Sequence, residues 1–154
     1  MEIYEYICGN QLIMKKYFFL FIGLSLFLTS CDTGAAEKVA DDFHQHFDKG
    51  DISYICDNLL DTKTTAEEKE GFRSFLQGVY NMGAITNRDK SLGFNEKINN
   101  GITTVKLNYT FEMNDETVYE TLVFVDRGEG DGLKLLVVSM NPDKSVVDEY
   151  TAAY

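Results

Sequence analysis

TVKLNYTFEM, residues 104–113, alternates without a break. Val105, Leu107, Tyr109, Phe111 and Met113 fall on one side, and Thr104, Lys106, Asn108, Thr110 and Glu112 on the other. A period of two sustained over this length is a strand with one dry and one wet face, which belongs to an antiparallel sheet. Asn99-Asn100-Gly101 precedes it and Asn114-Asp115 follows it. Both are hairpin signals, because Asn, Asp and Gly accept the positive φ that tight turns demand. Upstream, Leu92, Phe94 and Ile98 alternate with polar residues and predict the preceding strand. Downstream, Thr117 to Val125 is apolar on both faces, as a more central strand should be. RGEGDG, residues 127–132, reads as a glycine-rich turn, and Leu133 to Met140 as the last strand. Pro142, the only proline, discourages its continuation. Short turns force antiparallel neighbours, so the four strands form a meander.

Before the strands the period is helical. Ala36, Val39, Ala40, Phe43 and Phe47 make one apolar stripe. Lys49 in the last turn and Gly50 after it predict the C-terminal end. Asp51 then caps a shorter helix carrying Ile52, Tyr54, Ile55, Leu59 and Leu60. Thr65-Ala66-Glu67-Glu68 fits a capping box. The helix it opens carries Phe72, Phe75, Leu76, Val79 and Tyr80 and ends at Gly83. From Asp143 onward, residues 143–154 read as an acidic, frayed tail with room for a short helix. Helices followed by a meander predict an α+β fold, in which N-terminal helices cover one face of a curved four-stranded antiparallel sheet.

The chain carries 14 Lys and Arg against 25 Asp and Glu, a formal net charge of −11. Such a domain repels nucleic acid and does not lie on an anionic bilayer through its own surface. The excess of acid reads as solubility rather than as a site. Residues 14–31, MKKYFFLFIGLSLFLTSC, supply another way to a membrane. Lys15 and Lys16 are a positive n-region, and Tyr17 to Leu28 is an uncharged apolar run. That run is too short for a spanning helix, which needs about 20 apolar residues, and suits a cleaved signal. Leu28-Thr29-Ser30-Cys31 resembles the bacterial lipobox. The resemblance implies cleavage between Ser30 and Cys31 and acyl chains on Cys31, enough for stable anchoring. Residues 1–13, with Glu2 and Glu5, read as an over-extended start, with translation beginning at Met14; a longer n-region is the alternative. Without those residues and the signal the net charge is still −11, since two of each sign are lost. Residues 31–34 would be a short lipidated tether, and residues 35–142 the domain. With Cys8 excluded and Cys31 acylated, Cys56 is the one remaining thiol. It sits beside Ile55 and reads as buried and structural. No spacing suggests a metal site or calls for a cofactor.

Helix, short helix, helix and a four-stranded meander together resemble the nuclear transport factor 2-like, or cystatin-like, fold. More narrowly, they resemble the small lipoproteins of Bacteroidota-type bacteria that carry such a domain. The residues that carry this are LTSC at 28–31, AAEKVADDFHQHF at 35–47, the Gly50-Asp51 junction into ISYICDNLL, and DGLKLLVVSM at 131–140. Many members have a Trp in the last strand; this chain has none. The resemblance implies a cone between sheet and helices. In relatives the cone holds a ligand or an active site with Asp, His or Tyr inside.

His44 and His46 are the only histidines. Two apart on a helix, they point to different faces, so at most one enters an interior; His44, one position off the Val39, Phe43 and Phe47 stripe, could do so, and as a general base it would need a partner carboxylate or Tyr. A surface or boundary position is the plainer reading of both, and no catalytic residue is assigned. Tyr54, Tyr80, Tyr109 and Tyr119 could line a cavity, although closing the core with hydroxyls at its edge is the plainer role. Asp126, Glu129 and Asp131 lack the spacing of a calcium loop. The expected function is that of a lipid-anchored protein of the bacterial cell envelope. Its non-enzymatic domain would bind a small apolar ligand or an envelope protein, with the membrane reached through Cys31. The alternatives are a small-molecule enzyme of isomerase or dehydratase type, and a structural spacer.

Overall fold

The computed structural model describes residues 31–154. The expected signal at 14–30, including Ser30, and the segment 1–13 lie outside the described residues. Cys31 is the first residue of helix α1, Cys31–Asp48, so residues 32–34 belong to its opening turns. The chain continues as α2, Ile52–Tyr54, which runs into a π-helical turn, Ile55–Leu59, and then α3, Ala66–Met82. Four strands follow: β1 Thr86–Asn99, β2 Ile102–Met113, β3 Glu116–Asp126 and β4 Lys134–Asn141. They form one antiparallel sheet in the order β1-β2-β3-β4, and α4, Lys144–Thr151, closes the chain. The fold is therefore α+β. No described helix is long and apolar enough to cross a membrane.

The turns obey local chemistry. Asn100 and Gly101 between β1 and β2, and Asn114 and Asp115 between β2 and β3, all have positive φ. Each pair makes a two-residue hairpin and sets the register, Asn99 against Ile102 and Met113 against Glu116. That register places Val105, Leu107, Tyr109 and Phe111 on the same face as Val118, Glu120, Leu122 and Phe124. The helices pack on this face. Ala36, Ala40, Phe43 and Phe47 of α1 are fully buried in the core, with Ile52, Ile55, Cys56 and Leu76. α1 ends where expected: Asp51 N–H donates to the His46 carbonyl and Gly50 N–H to that of Phe47. This is a Schellman motif with Gly50 at φ +73. Thr65 and Glu68 make both bonds of the capping box.

Three expectations are corrected. β1 is the most irregular strand of the sheet, with register shifts after Thr86 and after Lys90, against one in the β3–β4 pairing. Its Phe94 and Ile98 are exposed, because an edge strand and the tip of its hairpin lie beyond the helices. The short helix becomes a π turn, which lets neighbouring Ile55 and Cys56 bury together with Leu59. The tail after Pro142 is not frayed: α4 packs against β3 and β4, with Val147 and Thr151 buried. It lies on the second face, where Lys106 donates to the Thr151 carbonyl. Both faces of β3 are thereby covered, which explains its apolar run.

A half-buried ion pair ties the loop after the π turn to the end of β3. Arg127 forks onto Asp61, with Nε to Oδ1 at 3.1 Å and Nη2 to Oδ2 at 2.5 Å. The Arg127 hydrogen bonds hold the buried Asp61 carboxyl below the usual aspartate range. Asp61 N–H donates to the Leu135 carbonyl, and Leu60 bridges Leu135 in parallel. The start of the β4 edge is thus covered, and the rest is not.

Candidate functional site

Two clefts open onto the inner face of the sheet, and they differ in chemistry. The first lies under the C-terminal half of α3. The stripe predicted for α3 is present, but only Leu76 is fully buried. Phe75 and Tyr80 are more than a third exposed and Met82 is two-thirds exposed. The space left beside the helix is a cleft of about 630 Å³. Val79 and Met82 face Phe111 and Met113 of β2, Val118 of β3 and Met140 of β4. Ser74, Asn114, Glu116 and Asn141 are its polar residues. Asn114 donates from Nδ2 to the Met82 carbonyl at 2.9 Å and ties the end of α3 to the β2–β3 turn. Gly78 lines the cleft from the middle of α3, and a Cβ added there would meet nothing within 4 Å. Glycine inside a helix costs about 1 kcal/mol against alanine. No neighbour requires it here, and what it provides is room.

The second cleft, about 390 Å³, lies between α1 and the β1–β2 pair. It is lined by Glu37, Asp41, His44, Arg88, Lys90 and Tyr109. His44 is buried, which corrects the surface reading. Ala36, Ala40 and His44 stand in one row at a spacing of four, and the two alanines let α1 approach the sheet. The His44 ring then reaches Glu120, with Nε2 and Oε2 2.7 Å apart. Glu120 is the register partner of Tyr109, whose ring meets His44 edge-on with centroids 4.7 Å apart. Burial, then the charge of Glu120, pushes the Tyr109 hydroxyl up to about 12, so it remains a phenol and a donor. Arg88 forks onto Asp48 at 2.9 and 2.8 Å, and Lys90 pairs with Glu37. Among the described residues, Arg88 Nε and Glu120 Oε1 are the buried side-chain atoms without a partner. A carboxylate that orients an imidazole is the arrangement of a general base.

The four tyrosines do not converge. Tyr109 alone lines the polar cleft. Tyr54 stacks on His46 at 3.6 Å between centroids and donates to Asp42. The Asp42 charge, first, raises its hydroxyl above the ordinary range. Tyr80 lies over Gly50. Tyr119 pairs with Thr110 and shares its face of the sheet, away from Tyr109. His46 is half-buried, between Asp51 at 3.1 Å and Asp42 at 3.5 Å. Cys56 is buried, and desolvation raises its thiol, which makes it unreactive. Among the described residues, no three His, Cys, Asp or Glu side chains converge as a metal site.

Glu120 was not anticipated from the sequence. Its signal was available, since Glu120 is in phase with Val118, Leu122 and Phe124 in an otherwise apolar strand. Gly71 and Gly78 also interrupt α3 at a spacing of seven. No protein-family profile matches the chain, and no curated protein sequence matches it.

Proposed function

We propose that this chain is a lipid-anchored lipoprotein of the bacterial envelope whose domain binds a small apolar ligand in the cleft beneath α3. The single observation that carries the reading is that cleft. At about 630 Å³ it falls in the range of small-molecule sites, with apolar walls and few polar groups. Met82, Met113 and Met140 line it, and flexible thioethers adapt to ligand shape. An acyl chain or a flat hydrocarbon with one polar end suits these walls. The nuclear transport factor 2-like assignment is part of the same proposal, supported by the order of helices and meander. Anchoring through Cys31 rests on the lipobox at 28–31.

Native mass spectrometry of the protein recovered from its own host's envelope tests the ligand. A reproducible small-mass adduct, absent from Met113→Glu, is expected. A clean mass, with no displacement of an apolar fluorescent probe, overturns the reading. Cys31→Ser should abolish labelling by an acyl-chain probe; labelling that survives removes the anchor.

The buried His44–Glu120 pair favours a second reading, a small-molecule enzyme using the polar cleft. Here His44 would exchange a proton with substrate while Glu120 orients the ring. Turnover lost in His44→Gln and retained in Met113→Glu would select this reading over the first.

A further inference from the structure

We infer that the uncovered edge of β4 is a docking site for an extended apolar peptide segment flanked by Lys or Arg, which joins the sheet as a fifth strand. This goes beyond the ligand reading and concerns the adjoining groove, which shares only Phe75, Met140 and Asn141 with the ligand cleft. From Leu136 to Asn141 the edge forms the floor of a groove of about 730 Å³. Phe72 and Phe75 of α3 wall it on one face of the sheet, and Val146, Tyr150 and Tyr154 on the other. Leu60 and Asp61 pair with β4 only at Leu135. Beyond that point no described residue pairs with the outer side of the strand, and its outward N–H and C=O groups face the groove.

Proteins ordinarily blunt such edges with charges, bulges or prolines. The opposite edge follows that rule. β1 carries two register shifts and Arg88, Asp89, Lys90, Glu96 and Lys97. β4 has a single register shift, which leaves Leu136 as the extra residue, and no charge from Leu135 to Met140, where it reads LLVVSM. The available edge is about 20 Å long, enough for a strand of six residues. Gly71 of α3 opens onto this groove as Gly78 opens onto the ligand cleft, and a Cβ there would also meet nothing within 4 Å.

The occupant follows from shape and charge. The edge lies between two aromatic walls, so a single extended strand enters, and a second β4 behind its own walls does not. A second copy also brings another charge of −11. The charges lining the groove are already engaged: Asp61 by Arg127, Lys63 by Glu129, and Glu68 by Thr65. The segment inside the groove is therefore uncharged, with an apolar residue on at least one face. Basic residues at its ends are drawn by the acidic domain around it. Main-chain bonds give affinity and alternate side chains give specificity.

The test uses the full chain in detergent and a synthetic probe, Lys-Lys-Val-Thr-Val-Thr-Val-Thr-Lys-Lys, read by amide hydrogen exchange. Expected is slowed exchange at 136–141 and binding that weakens with salt. N-methylation of alternate peptide nitrogens on the bonding edge should weaken binding by about tenfold or more, since it leaves the side chains but removes the donors. Replacing the four Lys by Glu should do the same. Gly71→Leu should retain the fold and lose the probe. Binding that ignores N-methylation, or no protection at 136–141 with any peptide, overturns the proposal. Protection of these amides without peptide in a dimeric chain overturns it in favour of a second copy.

Discussion

Glu120 sits among Val118, Leu122 and Phe124, and one of its carboxylate oxygens has no partner. Leaving a buried acceptor unsatisfied costs about 1–3 kcal/mol. His44 offsets part of this through the 2.7 Å bond. Removing one partner from a buried pair costs more than removing both, because the survivor keeps its desolvation penalty. His44→Leu should therefore lose about 3 kcal/mol by urea denaturation, and adding Glu120→Met should restore most of it. Additive losses would mean the two side chains do not act as a pair. Tyr109 gives a second prediction, at high pH. Its folded value, about 12, lies above its ordinary value near 10. The folded state holds that proton more tightly, so the contribution is present below pH 10 and lost as pH rises through 12. Over that window the native protein should lose about 2–3 kcal/mol relative to Tyr109→Phe, read by denaturant melts at each pH. At this scale the sequence was least legible. Spacing placed Tyr109 correctly and separated the two histidines. It allowed His44 to reach the interior, but gave no sign that Ala36 and Ala40 bring α1 close enough for it to meet Glu120, 76 residues away.

Elements were more legible, and the reason is local chemistry. The alternation of β2, the capping box at Thr65 and the Schellman glycine at Gly50 each need only a few adjacent residues to be satisfied. Thr65→Ala should cost about 1 kcal/mol, since one α3 donor loses its acceptor. Gly50→Ala should cost more. Its φ of +73 disfavours any Cβ, and that Cβ would come within 2.7 Å of the Tyr80 ring. Thermal melts of the two variants check the order, and an equal loss would mean that the Tyr80 ring moves aside freely. Where elements were misread, distant parts of the chain decide. Phe94 and Ile98 alternate as a core strand should, yet no helix reaches them. Val147 made too short a pattern to predict the packing of α4, which becomes visible only once β3 is known to need a cover on both faces.

At the scale of the whole molecule, α3 holds a conflict between stability and space. Its interior carries Gly71 and Gly78, neither imposed by a neighbouring atom, each facing a different groove. A helix selected only to cover the sheet would carry alanine at both positions. Gly78→Ala should stabilise the fold by about 0.5–1 kcal/mol, because alanine loses less chain entropy on forming a helix. Gly78 lines the apolar cleft, and the same methyl group takes up part of its open space. Affinity for an apolar probe should therefore fall while the melting temperature rises. The two readouts distinguish a cleft that is used from one that is merely left over. If probe binding is unchanged by the methyl group, the ligand sits elsewhere. If stability falls, α3 packs more tightly at Gly78 than the open space around its Cα shows, and the cleft is smaller than 630 Å³.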